Sequence, residues 1–447
     1  MKHIYTFFLS AIGVLLCVTS ANAQVELPNG LVFLLKRSTA TAELTDSPKA
    51  SGNISIPDVI TTDKKYTVKK IGDGAFFNNK NITSVTIPYS VKSIGTSAFS
   101  GCSKLTSITC ETPTMEHIGS DPFYETPWFN NQTDPLVYFG NWIIKINTPQ
   151  TLDVVNIRKN TKRCAPNIDG TINARKIYIP DQYTTIGEEM LSPNTEKFVV
   201  MSNNPKYCSD SYGAIYLKNN TVSSGPYRVD NGDTVFSVTG KTLFRVPRGN
   251  KNPFNVAPGT VALGRMSCYN TSFNKIVIPE SVQIICNEAF FHYDTSDFGC
   301  KIIDMPANLK ALERAFNISS EYTGAVILRV TEYPYPYTNN TTIFEKFKQA
   351  TLYVPRTRIN LMKDGFYQTF GSKFKQIRAI EDGEPSLYEA GDVNQDGAIN
   401  SADVVAVYNY IVQGNASGIS KDDADVNTDN AVNSSDATYI YNKILGN

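Results

Sequence analysis

Apolar residues in the first half of the chain recur on a fixed spacing rather than in long runs. Between Tyr66 and Cys110 one arrangement is written twice, 23 residues apart. Val68, Ile71, Gly72, Ala75 and Phe76 are answered by Val91, Ile94, Gly95, Ala98 and Phe99. The same offset relates Ile82, Val85 and Ile87 to Leu105, Ile108 and Cys110. The alternation in Ile82-x-x-Val85-x-Ile87 predicts a short strand with one face buried, and Pro88 ends it. Val91 and Ile94 then point back inward, and Ala98-Phe99 fill a short turn with an aromatic ring. A unit this small cannot bury its apolar face alone, so the period predicts a solenoid in which each repeat is covered by its neighbours.

The pattern loosens and returns along the chain. Asn29 to Leu35 reads as a strand or hairpin over the open first end, and Asn53-Ile54-Ser55-Ile56-Pro57 as a degenerate first strand. His117-Ile118-Gly119 keeps the signature and leads into an excursion through Trp128 and Leu136 to Phe139. Further units are predicted at Ile177 to Leu191, Phe273 to Phe290 and Ile303 to Phe316, the last one residue shorter in its turn. Leu352-x-Val354-Pro355 and Phe374-x-x-Ile377-x-Ala379 read as closing strands. Residues 203–250 read as an irregular insertion with short hairpin signals at Ala214 to Leu217 and Thr242 to Pro247.

In full, the unit is Leu-x-x-Ile-x-Ile-Pro-x-x-Val-x-x-Ile-Gly-x-x-Ala-Phe-x-x-Cys, which resembles the BspA-like (Treponema-type) leucine-rich repeats of bacterial surface proteins. The likeness spans roughly residues 29–380 and is specific in the tandem pair and at 273–316. It implies a β-rich leucine-rich-repeat solenoid of short parallel strands, irregular turns and hairpin insertions. The x positions of the strands then face outward on a concave wall. They are Thr83, Ser84 and Thr86; Thr106, Ser107 and Thr109; Arg175, Lys176 and Tyr178; Asn274, Lys275 and Val277; Lys301, Ile302 and Asp304. Hydroxyls, amides, lysines and a tyrosine suit a polar contact with a protein or glycan, although Thr and Tyr favour strands in any case.

Charge and cysteines narrow the classes. Forty-two basic residues balance 42 acidic ones, so no electrostatic footprint for nucleic acid is present. Met1-Lys2-His3, the apolar run Ile4 to Val18 and Ala21-Asn22-Ala23 predict a signal peptide over residues 1–23, cleaved before Gln24. Cys17 also leaves a lipoprotein signal open, against which the bulky Leu16 argues. No later stretch is apolar enough to span a membrane. Seven cysteines follow residue 23, an odd number at irregular spacing, and are expected mostly free and buried. His117 and His292, in a repeat and in a turn, form no recognisable catalytic motif.

The C-terminal stretch obeys another rule. Asp392, Asn394, Asp396, Asn400 and Asp403 stand at positions 1, 3, 5, 9 and 12 of one loop, with Ala398 offering its carbonyl at position 7 and Gly397 at the sharp turn. Thirty-three residues on, Asp425, Asn427, Asp429, Ala431, Asn433 and Asp436 repeat the set. A hard cation needs several oxygens converging from one short loop, so the paired spacing predicts two Ca2+ ions. Each loop runs into an amphipathic helix, with Val404, Val407, Tyr408 and Ile411 matched by Ala437, Ile440, Tyr441 and Ile444. Asp at position 12 and the missing first helix depart from sensor EF-hands and resemble type I dockerin modules. That resemblance implies a cohesin-type partner, read by Ser401-Ala402 and Ser434-Ser435 and by the helices.

The expected organisation is a signal peptide (1–23), a repeat domain (24–382), a linker (383–390) and a small α-helical, paired EF-hand-like dockerin module (391–447). The expected function is an exported, non-catalytic binding protein. The alternatives are a carbohydrate-active enzyme or accessory subunit of a polysaccharide-degrading complex, and a structural surface-layer component.

Overall fold

The computed structural model describes residues 22–229, 232–250, 253–271, 273–293, 299–330, 344–360, 371–385, 391–394, 399–414, 419, 424–427, 429 and 431–445. The segment 1–21, which carries most of the expected signal peptide, lies outside the described residues. The chain divides into two compact units, 1–220 with 241–250 and 221–240 with 251–447.

The first unit opens with three antiparallel strands, Asn22–Glu26, Val32–Lys36 and Thr41–Leu44. The third passes into parallel pairing with Lys65–Ile71, which continues to Ser93–Ile94 and His117–Ile118. Ile71, Ile94 and Ile118 stand in register there, one per repeat, and are fully buried. A second parallel ladder joins Gly52–Ser55, Ile82–Ile87 and Ser107–Cys110, pairing Val85 with Ile108 and Ile87 with Cys110. The 23-residue offset is therefore the step from one rung to the next.

Turns stack as regularly as strands. Phe76, Phe99 and Phe123 lie ring on ring, at 5.1 and 5.7 Å. Amides bond across the same step, Phe76 N–H to Ala98 O and Phe99 N–H to Pro122 O, at 2.7 and 2.8 Å. The residue two before each ring is left-handed: Gly74 (φ 62°), Ser97 (52°) and Asp121 (50°). The glycine of each Ile-Gly pair has another cause. A Cβ on Gly95 would come within 2.4 Å of the Asp73 backbone nitrogen, so only glycine lets adjacent turns close up.

The excursion after Tyr124 contains a single helical turn, α1 (Pro127–Asn130), started by proline and capped by Thr126, whose hydroxyl accepts from Phe129 N–H at 3.1 Å. It sets Trp128 edge-on to Phe123 and Phe139. Beyond it, Leu152–Asn156, Ala174–Ile179 and Lys197–Val200 form another parallel ladder, with Val155, Ile177 and Phe198 in register.

The second unit is built alike. Phe254–Asn255, Lys275–Val277, Ile302–Met305, Ala325–Leu328, Thr351–Val354 and Gln376–Ala379 make one parallel ladder. Thr260–Leu263, Ile284–Ile285 and Ala311–Leu312 make a second, and Phe290–His292 pairs with Phe316–Ile318. His292, expected in a turn, therefore sits in a strand and is buried. The insertion expected to be irregular is instead carried by two long strands, Ile215–Val229 and Gly232–Arg245. Cross-strand hydroxyl pairs Thr221–Thr239 and Ser223–Ser237, at 2.8 and 2.7 Å, explain how so polar a stretch stays extended. The seven cysteines among the described residues form no disulfide; Cys102, Cys164, Cys268 and Cys300 are buried and the other three half-buried.

Candidate calcium module and strand face

On the strand face, the polar wall holds in the first unit. Thr106, Ser107 and Thr109 are exposed and Thr83, Ser84 and Thr86 half-buried. Asn53 Oδ1 accepts from Thr83 Oγ1 and Ser84 Oγ at 2.9 and 2.8 Å, fixing these hydroxyls in a row. Arg175 pairs with Glu196 at 3.1 Å, and Lys176 lies over the Tyr178 ring at 4.8 Å. In the second unit Asn274, Lys275 and Val277 are half-buried and Lys301 is exposed.

Ile302 and Asp304 do not belong to an open wall. Both are buried, and Ile302 packs with Ala325, Ile327 and Tyr353, with Ile380 against them. Arg329 forks onto both oxygens of Asp304 at 2.7 and 2.9 Å and onto both oxygens of Glu384 at 2.6 and 2.8 Å. The Arg329 guanidinium holds the Glu384 carboxyl below the usual glutamate range. Outward residues become buried here because apolar side chains of the following rungs and the Arg329 fork cover them, with Ile380 just past the last strand packed against the cluster.

In the C-terminal module, the 33-residue offset of the sequence is also an offset of hydrogen bonds. Helix α2 (Ser401–Gln413) is capped by Asn400, whose side chain accepts from Ala402 N–H at 2.8 Å. Asp403 answers by accepting from Asn400 N–H at 2.9 Å and from Asn394 N–H at 3.0 Å. Helix α3 (Ser434–Ile444) repeats this with Asn433 on Ser435 N–H at 2.8 Å. Asp436 accepts from Asn433 N–H and Asn427 N–H at 2.9 and 3.2 Å. Positions 9 and 12 of each loop are thus also the two halves of a capping box. Asp403 and Asp436 are wholly buried, Asp392 and Asp425 nearly so.

Loop 2 curls on itself. Asp429 N–H donates to Asp425 Oδ1 and Asn427 Oδ1 at 3.1 and 2.9 Å, and Ala431 N–H donates to Asp429 Oδ1 at 2.9 Å. Asp396, Gly397 and Ala398 of loop 1 lie outside the described residues, as does Asn430 at position 6 of loop 2. Among the described residues no three of the acidic, histidine or cysteine side chains converge on one point. The donor set itself is all oxygen, from carboxylates, amides and carbonyls, with no nitrogen or sulfur ligand. That is the chemistry of a calcium loop rather than of zinc.

Ser401, Ala402, Ser434 and Ser435 are all exposed on the first turns of the helices. The helix faces differ from expectation. The module's core is Val393, Ala406, Val407, Ala424, Val426, Ala437 and Ile440. Tyr408, Ile411, Tyr441 and Ile444, matched on the apolar faces of the two helices, are exposed, together with Val412 and Leu445. Two helices and two loops offer one contact seam, and alanines bring the helices close enough to fill it. The next apolar residues round each helix are left outside.

No catalytic grouping emerges from the titratable side chains described. Cys164 Sγ lies 3.3 Å from Tyr183 OH, which donates to Glu189 Oε1 at 2.9 Å, but burial pushes both the thiol and the phenol up. A thiol so placed is a poor nucleophile. His117 is exposed and packs edge-on to Trp142.

Stacked parallel rungs with a polar strand face, followed by two capped oxygen-rich loops and their helices, define a repeat scaffold joined to a small calcium-type module. Residues 53–134 and 261–323 match the BspA type leucine rich repeat region, in six copies, and residues 390–445 match the dockerin type I domain. The chain carries BspA-type leucine-rich repeats and a type I dockerin domain. No curated protein matches it. Among solved structures it is similar to a leucine rich cell surface protein from Faecalibacterium prausnitzii, at 18% identity and a TM-score of 0.34, covering 85% of this chain and 97% of that one. It is also similar to the pneumococcal vaccine antigen PcpA, at 13% identity and 0.39, covering 80% and 98%. A leucine-rich repeat protein from Bacteroides ovatus matches at 14% and 0.28, covering 79% and 99%. Both modules are non-catalytic kinds, and type I dockerins typically bind calcium. Among the described residues no helix is long and apolar enough to cross a membrane.

Proposed function

We propose that the protein is an exported, non-catalytic surface component that recognises a ligand through its repeats and is tethered through its C-terminal module. Two calcium ions occupy the module. Asp392, Asn394, Asp396, Asn400 and Asp403, with the Ala398 carbonyl, hold the first; Asp425, Asn427, Asp429, Asn433 and Asp436, with the Ala431 carbonyl, hold the second. Ser401, Ala402, Ser434 and Ser435 contact a cohesin-type partner together with Tyr408, Ile411, Tyr441 and Ile444. The observation that carries this reading is the pair of exposed apolar helix faces, related by the same offset as the loops. A module of this size leaves such residues uncovered where a partner covers them. The hydroxyl row from Thr83 to Thr109 is the ligand-facing wall of the repeats.

The test is calorimetry of the full mature chain against a panel of cohesin modules, with calcium and with chelator. Binding to at least one cohesin, lost on chelation, is expected. No binding in calcium, or binding indifferent to chelator, sinks the tether. Export is read from the N-terminus by mass spectrometry, with Gln24 expected first and a lipid-modified Cys17 as the contrary result.

A further inference from the structure

The repeat position that follows the core residue of each turn does not require an aromatic ring, since Ser100 and Asn317 fill it in two repeats. Yet Phe77, Tyr124, Tyr269 and Phe291 occupy it elsewhere, and Phe77 and Tyr124 are more than half exposed. In the second unit these rings form a set. Tyr269 and Phe291 lie 5.7 Å apart and 8° from parallel. Phe291 and Tyr293 lie 6.4 Å apart and 3° from parallel. Tyr293 is 76% exposed. Scattered surface aromatics need no explanation, but aligned ones on adjoining rungs do.

The polar groups beside them are forked and electrically balanced. Arg265 donates twice to Glu288 Oε2, at 3.0 and 2.7 Å, and Asn317 Nδ2 donates to Glu288 Oε1 at 3.4 Å. Asn270 Oδ1 holds Tyr293 N–H at 2.8 Å, pinning the last ring's backbone. A pyranose ring presents apolar C–H faces rimmed by hydroxyls. It is met by aromatic rings for the faces and by planar groups that accept and donate in pairs for the rim. The compensated Arg265–Glu288 pair disfavours a phosphate-rich ligand. Three rings also fall well short of the ~800 Å² per partner that a stable protein interface buries.

We propose that Phe291 and Tyr293, with Tyr269 and the Arg265–Glu288 pair, form a binding site for a neutral glycan. The site is separate from the hydroxyl row of the strand face. It rests on the reading of the repeats as a non-catalytic recognition surface.

The experiment is affinity electrophoresis of the full mature chain in gels containing soluble xylan, mannan, mixed-linkage β-glucan or glycogen. Retardation by at least one is expected. Tyr293→Ala should weaken it about tenfold, by analogy with the loss of one stacking ring; Tyr293→Phe should preserve it, and Phe291→Ala with Tyr293→Ala should abolish it. Tyr293 is exposed enough for its substitution to leave the fold intact, which circular dichroism checks. Unretarded wild-type protein in every gel, or Tyr293→Ala retarded like wild type, overturns the site. If Thr86→Ala with Thr109→Ala removes retardation while Tyr293→Ala does not, this site falls and the broader recognition reading stands.

Discussion

Phe99→Ala removes the middle ring of the three-ring file in the first unit. Phe99 is fully buried and stacks on Phe76 at 5.1 Å and Phe123 at 5.7 Å. Deleting a buried phenylalanine costs roughly 3–5 kcal/mol in lost transfer energy and residual cavity. The two ring–ring contacts add about 1 kcal/mol beyond burial. The rung-to-rung amide bonds on either side resist collapse of the turn, so the upper part of that range, about 4–5 kcal/mol, is expected. Phe77 provides an internal comparison. It has the same side chain, one position past the equivalent ring in the preceding repeat, and is 56% exposed. Phe77→Ala should cost less than about 1 kcal/mol, and Thr106→Ala, on the exposed strand face, within about half of one. The assay is urea unfolding of the full chain in calcium, followed by tyrosine and tryptophan fluorescence. If Phe99→Ala loses less than about 1.5 kcal/mol, or no more than Phe77→Ala, the rings are not a load-sharing file.

Three further outcomes can be measured. Ser97→Gly should stabilise by about 1 kcal/mol in the same melts, because Ser97 holds a left-handed φ of 52° that glycine adopts freely; Gly74→Ala, with φ at 62° and an ordinary 3.7 Å contact to Phe77 Cβ for the new methyl, should lose a similar amount. Calcium titration should show loop 1 as the tighter site, since its sixth position, where a calcium loop turns sharply, holds Gly397 and that of loop 2 holds Asn430, so Asp392→Ala should lose more affinity than Asp425→Ala; equal losses would contradict the ordering. The Glu384 carboxyl, its pKa lowered first by the Arg329 hydrogen bonds, contributes stability that is present above its unfolded value of about 4.3 and lost as pH falls through the lower folded value. Arg329→Gln should therefore destabilise at pH 7 and progressively less below about pH 4, and a pH-independent difference would rule out this linkage.

Much of the fold is written in the spacing because a solenoid reuses one local solution. Ile71, Ile94 and Ile118 are in register because each is the same residue of the same unit. Reading failed where burial came from elsewhere. Ala325–Leu328 is a buried strand on both faces, so its four apolar residues show no alternation to betray it. Ile302 and Asp304 occupy outward positions by period, yet Ala325, Ile327 and Tyr353 of later rungs cover the first, and Arg329, 25 residues on, pairs with the second. The calcium-type loops were legible because ligand spacing is a property of a dozen consecutive residues. The helix faces were not, because heptad-like apolar spacing says which residues share a side but not whether a partner element exists to cover it. The double use of Asn400 with Asp403, and of Asn433 with Asp436, could have been found from the Asn-x-x-Asp spacing alone.

The Arg329 fork also bears on how the chain carries load. A protein gripped through its C-terminal module and pulled receives force first at the strand Gln376–Ala379, the last rung of a parallel ladder. Drawn away sideways, such a strand peels, giving up its bonds to Thr351–Val354 in sequence rather than together. Glu384 is fastened not to the neighbouring rung but to Arg329, just past the rung before it, and Arg356 N–H reaches Glu381 at 2.9 Å from the rung between. Tension arriving along residue 384 is therefore delivered to three rungs at once, and the ionic fork must part before peeling begins. The end of the repeat array acts as a strain relief, of the kind that keeps a cable from fraying where it leaves its plug.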